Sequence, residues 1–173
     1  QKDGGESYEL IRYAGLWGGH PRSALALETI LADVLVGAPV EILSCVPRAV
    51  KIHPTQRLCL ASDERNPLGR NTLIGEEVID AQGKFRVKMG PLDQTRFRAL
   101  LPGGVDACKV ARIIDRFLTD PLDYDFELVL KRGEMRNICL GAPEWSRLGQ
   151  DTVLFSDDFQ GELKIVCPSK RSH

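Results

Sequence analysis

Three histidines, five cysteines and two aspartate clusters are the residues of this chain best suited to chemistry. His20 lies in Gly-Gly-His-Pro, His53 precedes Pro54, and His173 is the C-terminal residue. A metal centre needs convergent ligands at set spacing, such as His-Glu-x-x-His or Cys-x-x-Cys pairs, and neither pattern occurs. His20 and His53 are therefore expected to be solvated or locally bonded loop residues. A cysteine nucleophile needs a base and a lowered pKa. Cys108 falls in a helical pattern, and Cys139 and Cys167 fall in stretches rich in Ile, Leu and Val, so all three are expected as small buried hydrophobes. Asp120, Asp123 and Asp125 flank Pro121, and Asp157-Asp158 follows Phe155. Such carboxylates can bind Ca²⁺ or share a proton, but no EF-hand framework surrounds them, and turns and a helix boundary account for them. The glycines of Leu-Pro-Gly-Gly and Gly-Leu-Trp-Gly-Gly-His-Pro lack the spacing of a phosphate cradle. No catalytic, cofactor-binding or metal-ligating residue emerges.

The elements that would have to position such groups belong to an ordinary globular chain. Its 173 residues are 43% hydrophobic and 27% charged, with a net charge of -1. That length can bury about 70% of the unfolded surface without a disulfide or metal staple. The charge balance and the 6% aromatic content argue against a general nucleic-acid binder. Arg86, Lys88, Arg96 and Arg98 form the densest basic group, with Arg96 and Arg98 expected on a solvated helix face. No apolar run is long enough to span a membrane. Five widely spaced cysteines suit reduced thiols in a cytosolic setting. The start, Gln1 with no initiator methionine and no signal pattern, suggests a chain that begins partway through a longer protein.

The pattern predicts an α+β fold of mostly antiparallel strands and hairpins with about three helices. Pro21 to Gly37 has apolar residues at helical spacing (Leu27, Ile30, Leu31, Val34, Leu35), with Pro21 suited to the first turn and Gly37 to the end. Val40, Ile42 and Val46 alternate as a strand, and residues 47–72 read as irregular. Glu76 to Gly90 reads as a β-hairpin whose short turn uses a positive φ at Gly83. A short helix capped by Asp93 buries Leu92, Phe97, Leu100 and Leu101, and a second covers 105–119. Tyr124, Phe126, Leu128 and Leu130 share one strand face. Further strands are expected near Leu140, in Thr152–Phe155 and in Gly161–Cys167. Trp17 is expected in the core, whereas Trp145, in a Pro- and Gly-containing loop, is either a core plug or an anchor for a partner.

Several stretches resemble the TssG family (also called ImpH or VasB), baseplate subunits of the bacterial type VI secretion system. They are LIRYAGLWGGHPRSALALETILADVLVGAPVEI, LGRNTLIGEEVIDAQGKFRVKMGPL, FRALLPGG, DPLDYDFELVLKR and the ICLG…RLG pair, in that order. Residues 1–9, polar and glycine-containing, read as a linker end; the resemblance covers a TssG-like core region (10–149) and leaves the C-terminal strands and tail (150–173) unassigned. It implies a non-enzymatic structural subunit that forms a hetero-oligomeric wedge with TssF and TssK, with TssE as a further neighbour, and supports assembly of the contractile tail and sheath. It implies no cofactor, no nucleic acid, no direct membrane insertion, and a cytoplasmic location docked at the inner membrane through the apparatus. Two similar loops, 66–76 and 140–149, would then face partners, with Leu68, Leu73, Ile74, Leu140, Trp145 and Leu148 as contact residues. The rival reading is a small cytosolic enzyme domain whose catalytic groups come from another domain or chain.

Overall fold

Ser23 is where the first long helix begins. Its side chain accepts a hydrogen bond from Ala26 N at 3.2 Å, so Ser23 is the N-cap and Pro21 lies outside the helix, two residues before the cap and not in the first turn expected for it. The computed structural model describes residues 11–54, 57, 74–135 and 161–168. Among them are four helices, one more than expected: α1 (Ala14–Gly18), α2 (Ala24–Val34), α3 (Gln94–Leu100) and α4 (Val105–Phe117). Six strands accompany them: β1 (Val40–Leu43), β2 (Arg48–Lys51), β3 (Glu77–Asp80), β4 (Lys84–Leu92), β5 (Asp123–Leu130) and β6 (Leu163–Pro168). β2 occupies part of the stretch read as irregular. The expected strands near Leu140 and at Thr152–Phe155 lie outside the described residues.

The main sheet has the order β1-β4-β5-β6. β1 pairs antiparallel with β4 and β6 antiparallel with β5, while β4 and β5 run parallel, joined by the α3–α4 crossover. The α+β class holds, with one βααβ unit that the sequence pattern did not reveal. Helices α2, α3 and α4 cover one face of this sheet. Leu27, Ile30 and Leu31 of α2, Phe97 and Leu100 of α3, and Val110, Ile114 and Phe117 of α4 meet Phe85, Val87, Met89, Tyr124, Phe126, Leu128 and Leu130 in one core. Period 3.6 in the helices and period 2 in the strands put these residues on facing surfaces. Asp93 caps α3 as expected, accepting from Arg96 N at 3.1 Å.

The expected hairpin does not form. The turn after β3 is tight, with Asp80 Oδ1 accepting from Gln82 N (2.9 Å) and Gly83 N (3.1 Å). But β3 pairs with β2 in a separate two-stranded sheet, and β4 continues into the main one. The pattern explains why. Phe85, Val87 and Met89 are buried, whereas Val78 and Ile79 are exposed, so only β4 carries a face that demands the core. Gly83 does not take the expected positive φ; it is small because a Cβ there would lie 2.3 Å from both Arg48 Nη2 and Asp80 Oδ2. Arg48 bridges the two sheets, donating from Nε to Asp80 Oδ2 at 3.0 Å and from Nη1 to Asp123.

At its other end α2 stops by a Schellman pair. Gly37 N donates to Ala32 O (2.8 Å) and Val36 N to Asp33 O (3.0 Å). The motif places Val36, a β-branched residue, at a left-handed φ of 54°.

Candidate functional site

Among the described residues, those first considered for chemistry do not assemble into a reactive centre. His20 Nδ1 lies 2.8 Å from Gly19 O, a local contact. Among the described residues, no group of three or more His, Cys, Asp or Glu is placed to hold a metal ion. Cys108 is exposed, contrary to expectation, because helical spacing puts it on the side of α4 away from the buried Val110, Ile113 and Ile114 stripe. Cys167 is buried as expected, and burial pushes its thiol above the ordinary value, which keeps it protonated and inert. Cys139 and the Asp157-Asp158 pair lie outside the described residues.

Asp123 and Asp125 are strand residues, not the turn residues expected. Asp125 is only 2% exposed, on the sheet face opposite the helices. Arg86, directly across the parallel register, donates to it from Nε (2.7 Å) and Nη2 (2.9 Å), and Lys84 Nζ lies 2.8 Å away. Arg86 also reaches Glu127 Oε2 at 3.3 Å, and Lys88 Nζ reaches Glu41 Oε2 at 2.7 Å. Half of the basic group noted in the sequence is thus absorbed in cross-strand ion pairs. Burial alone would raise the pKa of Asp125, but the bonds from Arg86 and Lys84 outweigh it and hold the carboxyl below its usual value. Unlike an exposed pair, this arrangement is structural and fully used.

What the described surface does offer is apolar. Of the six expected contact residues, Leu68, Leu73, Leu140, Trp145 and Leu148 lie outside the described residues. Ile74 is described and is 83% exposed, and Val78 and Ile79 of β3 are exposed as well. Trp17 packs against the core as expected, edge-on to Phe117 with ring centroids 6.1 Å apart. Arg22 lies over both rings and donates to Arg116 O (3.1 Å) and to Phe117 O, tying α1 to the end of α4.

A second apolar surface had no counterpart in the sequence reading. A pocket of about 140 Å³ opens between the end of α2, α3 and the start of α4. Leu35, Ala38, Leu92 and Leu100 line it, with Arg96 and Asp106 at its polar side. Val36 also lines it and is 77% exposed, and Val105, next to Asp106, is 84% exposed. A left-handed residue bearing a Cβ costs roughly 1–2 kcal/mol relative to glycine. Position C′ of a Schellman motif is where glycine is usual, so Val36 is held there at a cost to the fold. The hint in the sequence was a valine, not a glycine, at the first position past the helix. Nothing local could have brought it together with Arg96, sixty positions on.

The fold is similar to that of a chain in a cryo-electron microscopy structure of the type VI secretion system TssK-TssF-TssG baseplate subcomplex. The TM-score is 0.73 at 16% sequence identity, covering 99% of this chain and 82% of that chain. It is also similar to a chain of the baseplate complex from the type VI secretion system, with a TM-score of 0.61 at 15% identity, covering 93% of this chain and 45% of that chain. At such identities these likenesses establish the fold. No curated protein sequence matches the chain. The family described as "Type VI secretion, TssG" matches residues 2–155, well over half of the sequence, and the chain belongs to that family.

Proposed function

We propose that this chain is a non-enzymatic structural subunit of the type VI secretion baseplate. It joins TssF and TssK in a hetero-oligomeric wedge that supports tail and sheath assembly, with TssE as a further neighbour. It works in the cytoplasm, docked at the inner membrane through the apparatus. The observation that carries the reading is a likeness spanning 99% of this chain to a chain in a TssK-TssF-TssG subcomplex, joined to the family match over residues 2–155. Two packed layers with exposed Ile74, Val36 and Val105 suit a part held by neighbours. No helix among the described residues is long and apolar enough to cross a membrane.

A wedge subunit binds by burying a few apolar anchors around which polar contacts exclude water. Interfaces of this permanent kind bury on the order of 2,000 Å² or more. The loops 66–76 and 140–149, with Leu68, Leu73, Ile74, Leu140, Trp145 and Leu148, are the proposed anchors. Co-expression with TssF and TssK, followed by mass measurement on a sizing column, should give one stable multi-protein particle. Replacing Leu140, Trp145 and Leu148 by alanine together should weaken TssK or TssF co-purification by ~10-fold or more, with an unchanged circular dichroism spectrum. A wild-type chain that elutes as a monomer beside both partners rejects the baseplate role. Undiminished binding by the triple variant rejects the loops alone.

A further inference from the structure

We infer that the pocket between the end of α2, α3 and the start of α4 receives an apolar side chain flanked by a carboxylate, carried by one of the partner subunits; this rests on the baseplate reading. The apolar half of the argument is Val36. An exposed valine at a left-handed φ of 54° serves neither the helix stop, which glycine would make more easily, nor the core, from which it points away. Its side chain stands on the rim of a pocket floored by Leu35, Leu92 and Leu100 and large enough for one aliphatic side chain. Val34 and Ala38 complete the apolar part of the lining. The pocket therefore joins an aliphatic floor to a polar side, room for one inserted side chain with a polar neighbour.

The polar half is charge. Arg96 and Asp106 both line the pocket, but they are not equivalent. Asp106 sits in the first turn of α4, whose N-cap Gly104 supplies no side-chain bond, so its carboxylate already offsets the positive end of that helix. Arg96 is exposed, and its guanidinium has no hydrogen-bond or ion-pair partner among the described residues. The uncompensated charge at the mouth of the socket is therefore positive. A carboxylate next to the inserted side chain satisfies it, and a lysine or arginine there is repelled.

Two variants of the full chain, assembled with TssF and TssK, test this. In Val36→Gly, relief of the left-handed valine should raise the Tm by about 2–4 °C. The same change should weaken association with the partners ~10-fold or more, a combination that a purely structural valine does not produce. Arg96→Glu should leave the Tm within about 2 °C and weaken association by a similar factor, and Arg96→Lys should restore most of it. If wild type assembles and both variants bind as well as it does, the socket is rejected and the baseplate role stands. If only one of them weakens binding, the pairing of apolar anchor and carboxylate is rejected. A Tm that falls in Val36→Gly rejects the strain argument and the inference built on it. Variants that instead disperse a dimer of this chain, with partner binding intact, assign the surface to a second copy and overturn the proposal. A wild-type chain that fails to assemble removes the baseplate reading and this socket with it.

Discussion

Gly90→Ala is expected to destabilise the chain by about 3–5 kcal/mol, among the largest effects any single methyl group can have here. Gly90 sits where the β4–β5 ladder loses its register, between Met89↔Leu128 and Leu92↔Leu130. Its φ is +138°, a region that side-chain-bearing residues rarely enter. A Cβ there would lie 2.4 Å from the carbonyl oxygen of Val129 and 2.8 Å from its Cβ. The oxygen belongs to the backbone of a central strand and cannot swing aside as a surface side chain could. Gly90 is also tied on its other side, donating from N to Pro39 O at 3.0 Å. Retreat from the clash would therefore disturb the β1 edge, the parallel pair, or both. A domain of this size is stable by only about 5–15 kcal/mol, so a Tm loss on the order of 10 °C is expected in thermal unfolding followed by circular dichroism. A variant whose urea midpoint moves by less than about 1 kcal/mol equivalent would show that the two strands are not so closely locked.

The parts of the fold that could be read from the sequence are those where one face of an element is buried. Phe85, Val87 and Met89 on β4, and Tyr124, Phe126, Leu128 and Leu130 on β5, alternate because a strand turns every second side chain to the core. The Val110, Ile113, Ile114 and Phe117 stripe of α4 and the Asp93 cap are legible for equally local reasons. Pairing is not local. A tight turn and two flanking β patterns looked like a hairpin, yet β3 joins β2, because nothing in the turn obliges strands of such different burial to share a sheet. The parallel β4–β5 pair was hidden for the same reason: alternation says which face is inside, not which neighbour lies beside it. Asp125 looked like a turn residue because its two cations come from another strand. The socket near Val36 joins three helices and depends on a backbone angle, so composition and spacing could not announce it.

Arg86→Ala should cost about 3 kcal/mol at neutral pH, near the lower end for breaking a buried ion pair, since Lys84 remains beside Asp125. The wild-type arrangement is bidentate, with contacts of 2.7 and 2.9 Å to a carboxylate that is almost wholly removed from water. Without Arg86 that charge keeps one partner in place of two, and burial then works against its ionised form. The pH dependence gives the sign. In the wild type the carboxyl is held below its unfolded value of about 3.9, so its contribution to stability is present above that pH and is lost as pH falls through the lowered folded value. In Arg86→Ala the folded value rises, so much less is lost on acidification. The stability gap between the two proteins should accordingly be widest near pH 7 and shrink below about pH 4, where a protonated Asp125 no longer needs a cation. Replacing both members, Arg86→Met with Asp125→Leu, should recover most of the loss, because apolar residues of similar size satisfy a dry site without the cost of desolvating charge. Urea unfolding at pH 7 and pH 3.5 reads all three expectations. A gap that is constant with pH, or a double variant no better than the single one, would mean that Arg86 acts through the packing of its aliphatic stem rather than through its charge.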